Sequence, residues 1–310
     1  QNSPGYDFTF GGQPGFDLLN GFDPARRDAW LRDAADQGWI STDSLQNQKF
    51  TQSYTQNLDA RATIEPFRDL QVDLTMTQQQ TINHSQSFKY TTIDGVTDFF
   101  SLNPIDMGSY TVSTITWKTM FDDFVDTTWV NNTFEEFMAN RSVISQRLQE
   151  ENPASAGIYF NPSDTAFNDN FAEGYGPVSQ DVLIPAFLAA YKGRDAERVR
   201  LNPLQTIPLP NWRITYNGLA KFPWARKVFS NLSITHGYQS TMTVNSFQTN
   251  LDYEGPDAYT EPQAIDSLNG NFYSQFTIPD LVINEQLSPL IGVDATFRNG
   301  LTLRFDYRKS

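Results

Sequence analysis

Apolar and polar residues alternate with a period of two over much of this chain, and that rhythm predicts long strands. Between Tyr54 and Ile64 the even positions are Tyr54, Gln56, Leu58, Ala60, Ala62 and Ile64, while Thr55, Asn57, Asp59, Arg61 and Thr63 fill the odd ones. After a turn at Pro66-Phe67-Arg68-Asp69, Leu70, Val72, Leu74 and Met76 alternate with Gln71, Asp73, Thr75 and Thr77, and polar β-type sequence continues to about Tyr90. The two runs read as a hairpin with arms well beyond the ~5–6 residues of an ordinary strand. A loop at Asp94-Gly95 leads to Tyr110–Trp117, where the phase slips from even (Tyr110, Val112) to odd (Ile115, Trp117). A β-bulge or kink would account for that slip.

The rhythm resumes late in the chain. Trp212, Ile214 and Tyr216 alternate with Arg213, Thr215 and Asn217, and a turn, GLAKFPWARKVF, follows. Leu232, Ile234, His236, Tyr238, Met242 and Val244 then face Ser233, Thr235, Gly237, Gln239, Thr241 and Thr243. A polar, acidic loop spans 254–270. Ile291, Val293, Ala295 and Phe297 precede the turn Arg298-Asn299-Gly300, and Leu301, Leu303, Phe305 and Tyr307 come after it. Asn-Gly between two alternating runs is a strong hairpin signal.

Helical periodicity is confined to three places. Asp23 as N-cap, Pro24 at the first position and Gly38 as terminator bracket a short helix whose apolar stripe is Trp30, Leu31 and Ala34. Thr133 and Glu136 make a capping box ahead of Phe134, Phe137, Met138, Ile144 and Leu148, up to Asn152-Pro153. A third helix is expected over about Ser179–Lys192, ended by Gly193. The chain thus divides into an irregular segment with a short helix (1–47), strands (48–119), a partly helical insert (120–205) serving as plug, cap or docking lobe, and further strands (206–310).

A soluble sandwich also alternates, so periodicity alone leaves the class open. Three features favour an all-β fold that is a segment of a transmembrane antiparallel β-barrel with long strands. The strands exceed the ~9–11 residues that cross a bilayer. The polar phase carries both charge signs, as suits a wet lumen. Aromatics (Phe67, Trp212, Trp224, Phe229, Tyr253) gather near turns, where an interfacial girdle would lie. Ile291, Val293, Phe297, Leu301, Leu303 and Phe305 are then expected to face lipid, and Asp294, Arg298, Arg304 and Asp306 the lumen. Short turns normally face the periplasm. Strand counting through the insert gives no clean parity, which leaves its side of the membrane open.

Composition narrows the partners. In 310 residues, 36 Asp+Glu outnumber 22 Lys+Arg, which argues against nucleic acid and against docking on anionic headgroups. Cysteine is absent, excluding disulfides and thiolate chemistry. No stretch approaches the ~20 apolar residues of a membrane helix; the longest, Val178–Tyr191, contains Gln180, Asp181 and Pro185. The first residues have neither a basic start nor an apolar run, and the chain stops inside an alternating pattern, so it reads as a piece of a longer polypeptide.

Candidate chemistry is sparse. His84 and His236 lie in strand patterns and read more simply as wall residues than as ligands or catalysts. Asp122-Asp123, Glu135-Glu136 and Glu150-Glu151 read as solvated ends rather than a catalytic pair. NPSDTAFNDN (161–170) lacks EF-hand spacing, and Gly11-Gly12 precedes no phosphate-binding helix. No catalytic residue, metal or cofactor is expected. Phe134, Phe137 and Met138 are candidate partner contacts, with packing inside the insert as the plainer alternative. Asp59, Asp73, Asp294 and Asp306 could keep cargo from sticking, or simply pair with Arg61, Arg298 and Arg304.

Several long strings carry a family resemblance: DAWLRDAADQGWIS with FTQSYTQNLDARATIEPFRDLQVDLTMT, FEEFMANRSVISQRL, YGPVSQDVLIPAFLAAYKGRDAERVRLNPLQTIPLPNWRITYNGLAKFPWARKVFSNLSITHGYQSTMTV, and INEQLSPLIGVDATFRNGLTLRFDYRKS. Together, from about Phe22 to Ser310, they resemble the C-terminal part of the SprA/Sov translocon of the type 9 secretion system of Bacteroidota. The resemblance implies a giant single-chain barrel in the cell outer membrane that exports folded cargo proteins bearing a C-terminal signal domain and supports gliding motility. It implies, as partners, outer-membrane lipid, a shuttle barrel protein at a lateral gate, a periplasmic plug protein and the rest of the same barrel chain. It brings no catalytic residues. Two rivals remain: a soluble aromatic-rich β-sheet cell-surface binding module or adhesin, and a β-rich glycosidase using Asp/Glu pairs.

Overall fold

The two-residue rhythm becomes strand almost wherever it occurs, in a sheet that is mostly antiparallel. The computed structural model describes residues 16–17, 21–22, 24–117, 121, 131–161, 170–205, 207–255 and 261–310. In chain order the elements are β1 (Phe16–Asp17), β2 (Gly21–Phe22), α1 (Pro24–Asp36), β3 (Phe50–Phe67), β4 (Leu70–Ile93), β5 (Val96–Ser113), α2 (Asn132–Glu151), α3 (Gln180–Tyr191), β6 (Asn211–Tyr216), β7 (Phe229–Thr249), β8 (Phe276–Thr277), β9 (Leu281–Phe297) and β10 (Thr302–Lys309). β4 alone has 24 residues and β7 has 21, far beyond an ordinary strand. The fold is predominantly antiparallel β-sheet with three helices among the described residues.

The sheet runs β10-β9-β7-β5-β4-β3, and β6 pairs with both β4 and β7. Those two neighbours also flank β5, so β5 and β6 share one lane. Leu70–Thr75 of β4 pair with Asn211–Tyr216, and Trp212–Tyr216 pair with Ile234–Tyr238 of β7. The chain leaves the lane at Ser113 and re-enters it at Asn211, where the Leu209 amide donates to the Ser113 carbonyl (2.9 Å) and the Ser113 hydroxyl to that of Leu209 (2.8 Å). Residues 114–210 are therefore a detour inside one strand. This removes the parity problem: the sheet is a meander of six antiparallel staves with neighbours in chain order.

Two local expectations change. β5 ends at Ser113, so Trp117 is outside the strand rather than beyond a bulge in it. The phase change lies earlier: Phe99 is buried at an odd position and Tyr110 and Val112 at even ones. Between them Asn103 has φ 49° and precedes Pro104, the side chain most tolerant of left-handed backbone beside one that cannot donate to a ladder. In α2 the N-cap is Asn131, whose side-chain oxygen accepts from the Phe134 amide at 2.9 Å; Thr133 is instead the second helical residue, and buried.

The chain forms two compact units, 1–56 with 80–108, and 57–79 with 109–310. In the first, α1 packs Leu31 and Ala35 on Phe88 and Phe99. Gly38, at φ 72°, closes the helix as its proposed terminator, with the Trp39 amide donating to the Ala34 carbonyl. Trp30 is half out of the stripe, edge-on to Trp39. The expected N-cap Asp23 lies outside the described residues. In the second unit, α2 and α3 pack together over Ile144, Leu148, Val182, Ala186 and Ala189, all buried.

Candidate functional site

The register fixes which side chains share a face in the second unit. Val72 is opposite Ile214, Ile214 opposite His236, Ile234 opposite Val293 and Val293 opposite Phe305. Directly opposed residues point the same way, so even positions of β4, β6 and β7 and odd positions of β9 and β10 make one continuous apolar face. Ile291, Leu303 and Phe305 on that face are 51%, 55% and 57% exposed, and Leu301, at the turn before β10, is also exposed. Val293 is half-buried, and Phe297 stacks on Phe229 with ring centres 4.7 Å apart.

The exposed apolar band is bounded by two aromatic layers. At the turn end are Phe67 and Tyr216 (6.4 Å between centres) and the Phe229–Phe297 pair. At the other end Trp212 stacks on Tyr238 at 4.3 Å, and Trp117 lies 5.8 Å from Trp212 and 6.1 Å from Tyr238. Beyond that layer the same face of β7 turns inward: Ser240, Met242 and Val244 are buried, and Lys192 at the end of α3 reaches the Met242 Sδ at 4.0 Å. Burial and the neighbouring Arg194 pull the Lys192 ammonium down to about 8. Burial also pushes the Tyr110 phenol up to about 12.

The opposite face is polar. The Thr63 hydroxyl donates to Asp73 (2.7 Å), as does the Gln71 amide (3.0 Å). Arg304 donates to Asp306 at 3.0 Å and lies 3.7 Å from Asp294 on the facing strand. Asp294, Arg304 and Asp306 thus share one face, with Arg304 pairing to both acids. Arg298 does not sit on that wall: it lies in the turn, where its Nε donates to the Arg226 carbonyl at 2.9 Å.

β7 and β9 slip register between Thr235 and Tyr238, opposite Ser288-Pro289-Leu290. Pro289 has no N–H for a central ladder. The freed Leu290 carbonyl accepts from the His236 Nδ1 at 2.8 Å, and a Cβ on Gly237 would come within 2.8 Å of the Ser288 carbonyl oxygen. His236 is therefore a ladder-repair group inside the apolar band.

His84, in the other unit, is buried between Arg27 and Asp106. Its Nδ1 is 2.8 Å from the Arg27 guanidinium and 2.7 Å from the Asp106 carboxylate. That nitrogen satisfies one partner at a time: bare, it accepts from Arg27; protonated, it donates to Asp106. Its Nε2, and both amide atoms of neighbouring Gln86, are buried without a hydrogen-bond partner. Sequence reasoning missed this cluster because Arg27 lies on a helix turn that otherwise reads as solvated.

Within the insert, Phe137 packs edge-on to Phe187 of α3 (6.4 Å) under Arg141, while Phe134 and Met138 stay exposed. The proposed contact patch is thus split between internal packing and surface. Glu135, Glu136, Glu150 and Glu151 are exposed on α2. Asp122, Asp123, Gly11, Gly12 and most of 161–170 lie outside the described residues. A small polar cavity of about 200 Å³, lined by Asn250, Asp266, Asn271, Ser274 and Gln180, sits beside β8. Near it the Ser274 hydroxyl donates to Asp181 (2.9 Å), whose carboxyl burial pushes up to about 6. Among the described residues no three His, Asp or Glu side chains converge as metal ligands. No protein-family model matches the chain, and no curated protein matches it.

Proposed function

We propose that this chain is part of the wall of a large outer-membrane β-barrel, a protein-conducting translocon of the type 9 secretion kind that exports folded cargo. The observation that carries the reading is the exposed apolar band held between two aromatic layers. Phe229 and Tyr238 mark its edges on one strand, nine residues apart, which is about 30 Å along the strand and about 23 Å at a barrel tilt of ~40°. The hydrocarbon-facing band of such barrels is ~25 Å tall. The parts of β3 and β4 within the second unit, Asn57–Phe67 and Leu70–Gln79, have the length of barrel spans, and β9 (Leu281–Phe297) exceeds it. The 68–69 and 298–301 turns and the 217–228 loop lie at one end of the band, and the helical detour leaves from the other, so we take the turn end as periplasmic.

The six-stave meander is the connectivity of an up-and-down wall. Among the described residues nothing pairs the outer edges of β3 and β10, and open edges are intolerable in hydrocarbon. Further strands of the same barrel chain would occupy both. Transport then rests on geometry: a polar inner wall whose charges pair laterally, a gate, and a shuttle barrel, a plug protein and cargo as partners.

The chain has no cysteine, so single cysteines test the faces cleanly. In outer membranes, cysteines at 303, 305 and 307 should react with a lipid-soluble maleimide and resist a charged one, with the reverse at 302, 304 and 306. Uniform reaction with the charged reagent would overturn the reading. A second reading, a cell-surface binding module, is favoured by Trp117, 46% exposed and backed by Trp212 and Tyr238, on which a sugar ring could stack; it requires release from cells without detergent.

A further inference from the structure

The chain is acidic overall, yet its turn end is cationic. Three turns meet there. The Asn217 amide donates to the Asp69 carbonyl at 2.8 Å and Lys221 pairs with the Asp69 carboxylate at 2.6 Å. Arg298 donates its amide to the Val228 carbonyl and its Nε to the Arg226 carbonyl. This gathers Arg68, Lys221, Arg226, Lys227 and Arg298 against only Glu65 and Asp69. Lys221 is neutralised by Asp69, but Arg68, Arg226, Lys227 and Arg298 are exposed with no carboxylate in ion-pair reach among the described residues. On a chain with formal net charge −14, four unpaired cations at one end are a local reversal of sign.

The loop that carries most of them is built to lie flat. Ala225 is fully buried against Leu232 and Ala295, with Leu219, Ala220 and Val293 around it, so the loop is pegged onto the apolar face at the edge of the band. Every other residue from Lys221 to Val228 is exposed, Trp224 to 61% and Phe222 and Val228 to 46% each. Aromatic and aliphatic side chains interleaved with cations, at the edge of an apolar band, fit the headgroup layer: rings at the interface, cations on phosphate.

The geometry points to the 217–228 loop, with Arg68 and Arg298, as a foot that binds anionic phospholipid headgroups at the turn side of the membrane. The inference rests on the wall reading and adds a lipid class and a site to it. The global charge argues against anionic lipid; the tertiary structure overrules it by bringing cations from three separate turns together.

The test uses the full chain in uncharged detergent micelles, with Trp224→Cys carrying a fluorophore, doped with spin-labelled phosphatidylglycerol or spin-labelled phosphatidylcholine. Phosphatidylglycerol should quench at several-fold lower mole fraction. Each of Arg226→Gln and Lys227→Gln should remove much of that preference, the two together all of it, and it should fade at high salt. A label at Leu268→Cys, an exposed position away from the turn end, should show no preference. Equal quenching by both lipids at position 224, with strong quenching by both at Leu303→Cys, would overturn the foot and leave the wall intact. No quenching at position 303 by either lipid would overturn the wall reading and the foot with it.

Discussion

At the scale of single residues, adjacent positions are predicted to respond oppositely. Leu303 lies on the exposed apolar face and Thr302 on the polar one. Leu303→Arg is expected to cost about 2–4 kcal/mol in membrane assembly near the midplane, and Thr302→Arg little. Heat-modifiable migration of outer-membrane extracts reads both; equal assembly would count against the face assignment. Asp181 offers a pH signature. Its raised folded pKa, about 6, means that the folded chain holds a proton the unfolded chain has already lost between about pH 4 and 6. That contribution is full below pH 4 and is lost as pH rises through 6. Asp181→Asn should keep the Ser274 bond, flatten that slope and stabilise the insert near neutral pH. Asp181 as a whole residue is only half-buried, so the gain is about 1–2 kcal/mol after screening. Thermal unfolding at two pH values reports it.

At the scale of elements, α1 and its strands are joined by a polar contact inside an apolar one. Arg27 is 3% exposed and meets both His84 and Asp106. Removing one partner from a buried charge is costlier than never having placed it there. Arg27 keeps its 2.9 Å pair with Asp28, so Asp106→Ala, which takes the carboxylate from His84, should loosen α1 by about 1–2 kcal/mol, seen as faster amide exchange across residues 27–36 than in the original chain. Unchanged protection would mean that Leu31 and Ala35 alone hold the helix. The composite lane of β5 and β6 carries a second expectation. Because Ser113 and Leu209 are already hydrogen-bonded, replacing 115–208 with a short glycine linker should leave the staves paired. Met242 and Val244, newly uncovered, should raise dye binding. Loss of the strand signature in circular dichroism would show that the detour holds the sheet together.

At the scale of the whole molecule, the prediction is partitioning. A chain with a continuous exposed face of Ile, Leu, Phe and Tyr should float with membranes in alkaline carbonate and come off only with detergent. Recovery in the aqueous phase after carbonate would favour the binding-module reading. Much of this scale was legible early: the alternation of 54–64 with 70–76, of 232–244 and of 291–307 reappears as the staves of the sheet. The helices begin and end within a residue or two of the expected positions, because proline, asparagine and glycine act locally.

What the sequence determined by itself is therefore the local layer: which residues alternate, where turns fall, and that one phase is greasy and the other wet. Those are properties of neighbours in the chain, and a period of two needs no partner to be read. Only the tertiary structure decided that β5 and β6 share a lane, that Met242 and Val244 are covered while Leu303 and Phe305 are bare, that Arg27 is buried on His84, and that the cations of three distant turns gather at one end. Each depends on which strands pair and in what register, set by contacts between residues far apart in sequence, and no single stretch of the chain encodes it.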